Sequence, residues 1–128
     1  MSDPHPTEGE LAILRVLWGL GRPATVREVH EQLLRTKDTA YTTVLKMLTI
    51  MGEKHLVQRD ESERSHRYAA LYTEPAVQSS MLKSFVQNAF AGSAFKLVQR
   101  ALDDNQASPA ELEAISRLIA QAKARRKP

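Results

Sequence analysis

The sequence predicts a mainly α-helical fold with one small β-hairpin, and three observations support this. Apolar residues recur at helical spacing in segments opened by capping residues. A single charged turn is flanked by two short alternating runs. The second half carries wide apolar stripes and no strand pattern. The 128 residues suffice for one ordinary domain, or for a small domain with an appended helical module.

Thr7-Glu-Gly-Glu10 has the form of a capping box, in which the threonine accepts from the helix and the glutamate reaches back. It opens a first helix toward Leu20, with Leu11, Leu14, Leu17 and Trp18 on the inner face. Gly19 and Gly21 supply the stop and Pro23 prevents continuation. Thr25-Val-Arg-Glu28 is a second capping box, opening a shorter helix through Val29, Leu33 and Leu34. Lys37-Asp38 is a connector, and Thr39 is the expected N-cap of a third helix. There Val44, Met47, Leu48 and Met51 form the apolar stripe, while Thr42, Lys46, Thr49 and Glu53 lie opposite. Gly52 or the residues just after it should end this helix. Leu56–Arg59 alternates as a strand, Asp60–Ser65 is a charged turn, and His66–Ala70 is the return strand. Three helices followed by a hairpin is the order of a winged helix-turn-helix.

The rest reads as three more helices. One starts at Glu74-Pro75 and presents Val77, Met81, Leu82, Phe85, Val86 and Ala89. After the Gly92-Ser93 break, a short helix carries Phe95, Leu97, Val98, Ala101 and Leu102. Ser108-Pro-Ala-Glu111 is a third capping box with proline at the first helical position, and the last helix carries Leu112, Ile115, Leu118, Ile119 and Ala122. So few residues cannot easily bury that much apolar surface among themselves, and no cysteine staples them. A second copy of the chain would bury it, making a symmetric dimer through Met81, Leu82, Phe85, Val86, Phe95, Val98, Leu102, Leu112, Ile115, Leu118 and Ile119. The alternative is that these helices fold back on the N-terminal part. The expected organisation is a winged-helix DNA-binding domain over 1–72 and a three-helix dimerisation region over 73–128.

Composition is that of a soluble globular protein, with 42% apolar and 26% charged residues. No run approaches the roughly 18 apolar residues that span a bilayer, so no membrane insertion is expected. The start of the chain has neither a basic stretch nor an apolar core, so no signal peptide is expected and the location is read as cytoplasmic. The absence of cysteine excludes disulfides, thiolate metal sites and cysteine nucleophiles. No HExxH, glycine-rich phosphate loop or Gly-x-Ser-x-Gly is present, so catalysis is not expected, and no cofactor or metal is implied. His30, beside Glu28 and Glu31, reads as part of a solvated helix face. The net charge of +3 is modest, and much of the surplus sits in Lys123-Ala-Arg-Arg-Lys127, so charge alone does not announce a nucleic-acid partner.

The third helix is what points to DNA. A helix entering the major groove needs a face free of bulky apolar groups, with hydroxyls, methyls and a cation that reach bases or phosphates. Thr39, Thr42, Thr43, Lys46 and Thr49 meet that need, and Tyr41 could set its hydroxyl on a phosphate. In the hairpin Arg64, His66 and Arg67 are placed for phosphates or the adjacent minor groove. The carboxylates Asp60, Glu61 and Glu63 work against a strong phosphate grip.

Leu11-x-Ile-Leu-Arg-Val-Leu-Trp18, Ala24-Thr-Val-Arg-Glu-Val29, Ala40-Tyr-Thr-Thr-Val44 and His66-Arg-Tyr68 together resemble the penicillinase-repressor (BlaI/MecI) family over nearly the whole chain. The resemblance implies a homodimeric winged-helix repressor that binds double-stranded operator DNA at a dyad with TACA/TGTA-like half-sites and blocks transcription. It also implies a membrane sensor protease pathway, in which proteolysis at an Asn-Phe bond of the dimerisation region inactivates the repressor. This chain has no Asn-Phe pair; Arg100-Ala101 stands at the matching place. The cysteine cluster of copper-responsive relatives is absent, and Glu63 stands where many relatives have glycine. Two other readings remain open: a winged-helix protein-interaction module without DNA binding, and a repressor that senses a small ligand or metal directly, with His55 and His66 as candidate ligands.

Overall fold

The computed structural model describes residues 4–126; Lys127 of the basic tail lies outside them. The elements run α1 (Glu8–Leu20), β1 (Ala24–Thr25), α2 (Val26–Leu33), α3 (Tyr41–Glu53), β2 (Val57–Asp60), β3 (Arg67–Ala70), α4 (Glu74–Phe90), α5 (Ala94–Asp103) and α6 (Pro109–Arg126). The chain divides into two compact units, with the boundary after Lys83, inside α4.

In the first unit, α1 and α2 start where local chemistry favours it. The Thr7 Oγ1 accepts from the Glu10 amide at 3.2 Å, while Glu10 Oε1 accepts from the Thr7 amide at 2.9 Å. Thr25 and Glu28 repeat this reciprocal pair at 3.2 and 3.0 Å. α3 departs from expectation. Its N-cap is Ala40, with no side-chain cap, rather than Thr39. Thr39 is instead held by its carbonyl, which accepts from the Nε2–H of His30 at 2.7 Å.

The helix ends differ in kind. Gly21, at φ 66°, closes α1 with its amide on the Leu17 carbonyl at 3.1 Å, whereas Gly19 stays inside the helix. α3 ends in a Schellman motif: Leu56 donates to the Met51 carbonyl at 2.9 Å and His55 to Gly52 at 3.1 Å. His55 takes the left-handed position at φ 60° that glycine usually fills. It is exposed, and it is Leu56 and Met51 on either side that are buried.

The sheet has three antiparallel strands in the order β1-β3-β2, with Arg59 opposite Tyr68 and Ala24 opposite Tyr68 on the other edge. β1 is an addition to the expected hairpin; two residues carry no readable alternation. Ile13, Leu14, Leu17, Val29, Val44, Leu48, Met51, Val57 and Tyr68 close the core. Ile13 is fully buried where the sequence pattern favoured Leu11, which is half-buried, and Leu34 is exposed as the cap residue of α2. The Trp18 indole donates to the Tyr72 carbonyl at 2.9 Å, and the Ser80 hydroxyl to Pro4 at 2.8 Å, fastening the root of α4 beside buried Val77.

The two capping-box glutamates of this unit titrate low. Burial would raise Glu10, but the Lys54 ammonium at 2.7 Å and the Thr7 amide outweigh it and hold the carboxyl below the usual range. The Arg22 guanidinium at 2.6 Å, then the Thr25 amide, lower Glu28 to about 2. Both native values lie below the unfolded one, so their stabilisation is complete above the ordinary glutamate value of about 4.3 and drains away as pH falls toward 2. We expect the urea midpoint to fall across that window, and Glu28→Gln to flatten the fall. A midpoint independent of pH there would contradict both pairings.

In the second unit α5 is opened by Ser93, whose hydroxyl oxygen accepts from the Lys96 amide at 3.1 Å. Its end uses Asn105 at φ 56° as the left-handed cap. α6 starts with the third capping box, Ser108 and Glu111 bonding reciprocally at 3.0 and 3.2 Å. Phe85 and Phe90 pack edge to face at 5.6 Å. None of the described residues from 84 onward is fully buried.

Candidate nucleic-acid interface

The tri-helical core turns the buried stripe of α3, Val44, Leu48 and Met51, inward. Geometry then leaves Tyr41, Thr42, Thr43, Lys46 and Thr49 exposed. Thr42, Lys46, Thr49 and Glu53 follow at intervals of four, three and four, so they lie along one face. The Thr49 hydroxyl donates to the Leu45 carbonyl at 2.9 Å, which uses its proton within the helix and leaves its methyl and lone pairs outward. Leu45 and Ile50 are also exposed, two apolar residues on this surface that the sequence pattern did not single out.

The entry to α3 is held by His30. A carbonyl can only accept, so Nε2 carries the proton toward Thr39. The His30 ring also meets Tyr41 edge-on, centroids 5.8 Å apart and planes at 88°. His30 is half-buried, not part of a solvated face. The pattern that hid it was its neighbours Glu28 and Glu31, which make the helix surface look uniformly polar.

The wing is electrostatically divided. Arg59 pairs with Glu61, and Arg67 with Glu63 at 3.1 Å. The Ser62 amide, 2.9 Å from its carboxylate, holds Asp60 below the usual range. Glu63, where glycine would offer no side chain, thus acts as a partner for Arg67. Arg64, His66 and Lys46 are exposed and stand outside the ion pairs of the described residues. Among the described residues no three of His, Asp or Glu are grouped to hold a metal ion, and His55 and His66 do not form such a set. No described helix is long and apolar enough to cross a membrane.

Of the residues expected to join two copies, Met81, Val86 and Ile115 are half-buried. Leu82, Phe85, Phe95, Val98, Leu102, Leu112, Leu118 and Ile119 are exposed, Phe95 by 73%. Arg100-Ala101 lies within α5, with Arg100 3.6 Å from Asp104.

A three-helix core, a braced third helix and a three-stranded wing define a winged helix-turn-helix protein, here followed by a helical module. Residues 6–121 match the family model described as penicillinase repressor, and the chain belongs to that family. The transcriptional regulator BlaI of Mycobacterium tuberculosis, in strains CDC 1551 / Oshkosh and ATCC 25618 / H37Rv, is 38% identical over 85 residues, 66% of this chain and 62% of the relative. The match thus spans less than two thirds of those relatives. The solution structure of monomeric Bacillus licheniformis BlaI in complex with the blaP half-operator superposes with a TM-score of 0.50 at 21% identity, over 59% of this chain and 90% of that one. At that identity the likeness is one of fold.

Proposed function

We propose that this chain is a dimeric, DNA-binding transcriptional repressor and not an enzyme. Residues 1–72 serve as the DNA-binding domain and 73–128 as the dimerisation region. α3 enters the major groove with Thr42, Thr43, Lys46 and Thr49 toward the bases, and Thr39 and Tyr41 meet the backbone at its start. Arg64, His66 and Arg67 contribute from the wing, Arg67 after leaving Glu63. The operator is a dyad with TACA/TGTA-like half-sites, read by two copies about 34–36 Å apart. The observation that carries this reading is the Thr/Lys face of α3, exposed beside the wing in a chain of the penicillinase repressor family.

The wing's own carboxylates offset much of its positive charge, so one half-site is held modestly and affinity comes from joining two. Repression follows by occupying the promoter. A membrane sensor protease pathway would need a bond other than Asn-Phe; Arg100-Ala101, at the matching place, lies within α5.

Lys46→Ala tests the groove contact. Its side chain is exposed, so folding should be intact by circular dichroism, while mobility-shift titration with the dyad should show affinity reduced by about 1–3 kcal/mol per half-site. An unchanged titration would remove Lys46 from the readout.

A further inference from the structure

Arg64 and His66, which stand outside the ion pairs of the described residues, line a depression of about 430 Å³ between the wing tip, the start of α3 and the start of α2. Tyr41 and Ser65 add hydroxyls to its walls, and α2 adds Arg27. No carboxylate lines it. By contrast, the neighbouring groove of about 620 Å³ on the other side of the wing includes Glu53 and Glu61 among its lining residues. We infer that this depression is a phosphate seat, gripping one backbone phosphate of the duplex between α2 and the wing, with Arg27 as a DNA-contacting residue. This deepens the repressor reading and rests on it.

Three features carry the assignment. The guanidinium groups of Arg27 and Arg64 come from different elements, so a bridging anion would be approached from two sides, as a phosphate with several acceptor oxygens requires. Hydroxyls and an imidazole complete a donor set without base-edge complementarity. Arg27 is committed elsewhere only weakly: Glu31 lies 3.6 Å away on the same helix, with both side chains largely in solvent. That pair opens readily when a phosphate arrives. Arg59 and Arg67, held by Glu61 and Glu63, are the less available wing arginines.

A phosphate contact positions the protein without reading sequence. Removing it should therefore weaken all duplexes alike and flatten the salt dependence. The test uses the full chain, Arg27→Ala, Arg27→Lys and, as control, Arg35→Ala on the connector after α2. Fluorescence anisotropy would follow binding to a dyad duplex and to an unrelated duplex across a salt series. For Arg27→Ala the slope of log K against log salt should become shallower by about 0.9 for each phosphate that the protein no longer neutralises. The same fold-loss should appear on both duplexes, Arg27→Lys should restore the slope, and Arg35→Ala should leave it unchanged. An unaltered slope in Arg27→Ala, or a loss confined to the dyad, overturns the seat while leaving the repressor reading intact. If the unsubstituted chain shows no salt-dependent binding to either duplex, the DNA reading itself fails, and the seat with it.

Discussion

Leu48→Ala should remove about 2–5 kcal/mol of stability, a large share of the 5–15 kcal/mol typical of a native domain. Leu48 is fully buried at the middle of α3, among residues of the same core as Val44, Met51 and Tyr68. Truncation removes three carbons and leaves a void that the surrounding helices and wing can fill only in part. Urea denaturation would show the midpoint falling sharply, and duplex binding should fail together with it because the same side chain seats the exposed face. Leu48→Met, which keeps the volume, should cost less than about 1.5 kcal/mol. A loss below about 1 kcal/mol for the alanine variant would show that α3 is not anchored through this residue.

If two copies join through the last helices as proposed, Ile115→Asp should yield monomers. α6 presents Leu112, Leu118 and Ile119 to solvent around a half-buried Ile115, and no described residue beyond 83 is fully buried. An unpaired carboxylate buried in such a seam costs about 2–3 kcal/mol per copy. A two-fold interface counts that cost twice, so the dissociation constant should rise by about a thousandfold or more. Sedimentation velocity over a concentration series would report it. Arg117→Ser, on an exposed position of the same helix, should leave the dimer in place. A full-strength dimer in Ile115→Asp would place the interface away from α6.

Local signals were the most legible part of this chain. Three capping boxes opened α1, α2 and α6 where they were expected, because each is a hydrogen-bond pair closed within four residues. The start of α3 was less legible. Thr39 resembles a cap, but His30, nine residues earlier, takes its carbonyl and moves the cap to Ala40. β1 escaped for the same reason: its two residues pair with Arg67 and Tyr68, more than forty positions away.

The charge of the interface divides in the same way. Which arginines the wing contains is written in the sequence. Which are engaged is a matter of geometry, since Glu61 and Glu63 reach Arg59 and Arg67 but not Arg64.

By itself the sequence determined the order of the helices and the hairpin, the apolar and polar faces of α3 and the unsatisfied apolar stripes of the last helices. Each follows from periodicity and from interactions a few residues long. Tertiary structure alone decided that His30 holds the entry to α3, that β1 edges the wing, and that Arg27 shares a depression with Arg64 and His66. These are meetings of residues far apart in the chain, and packing around one core brings them together.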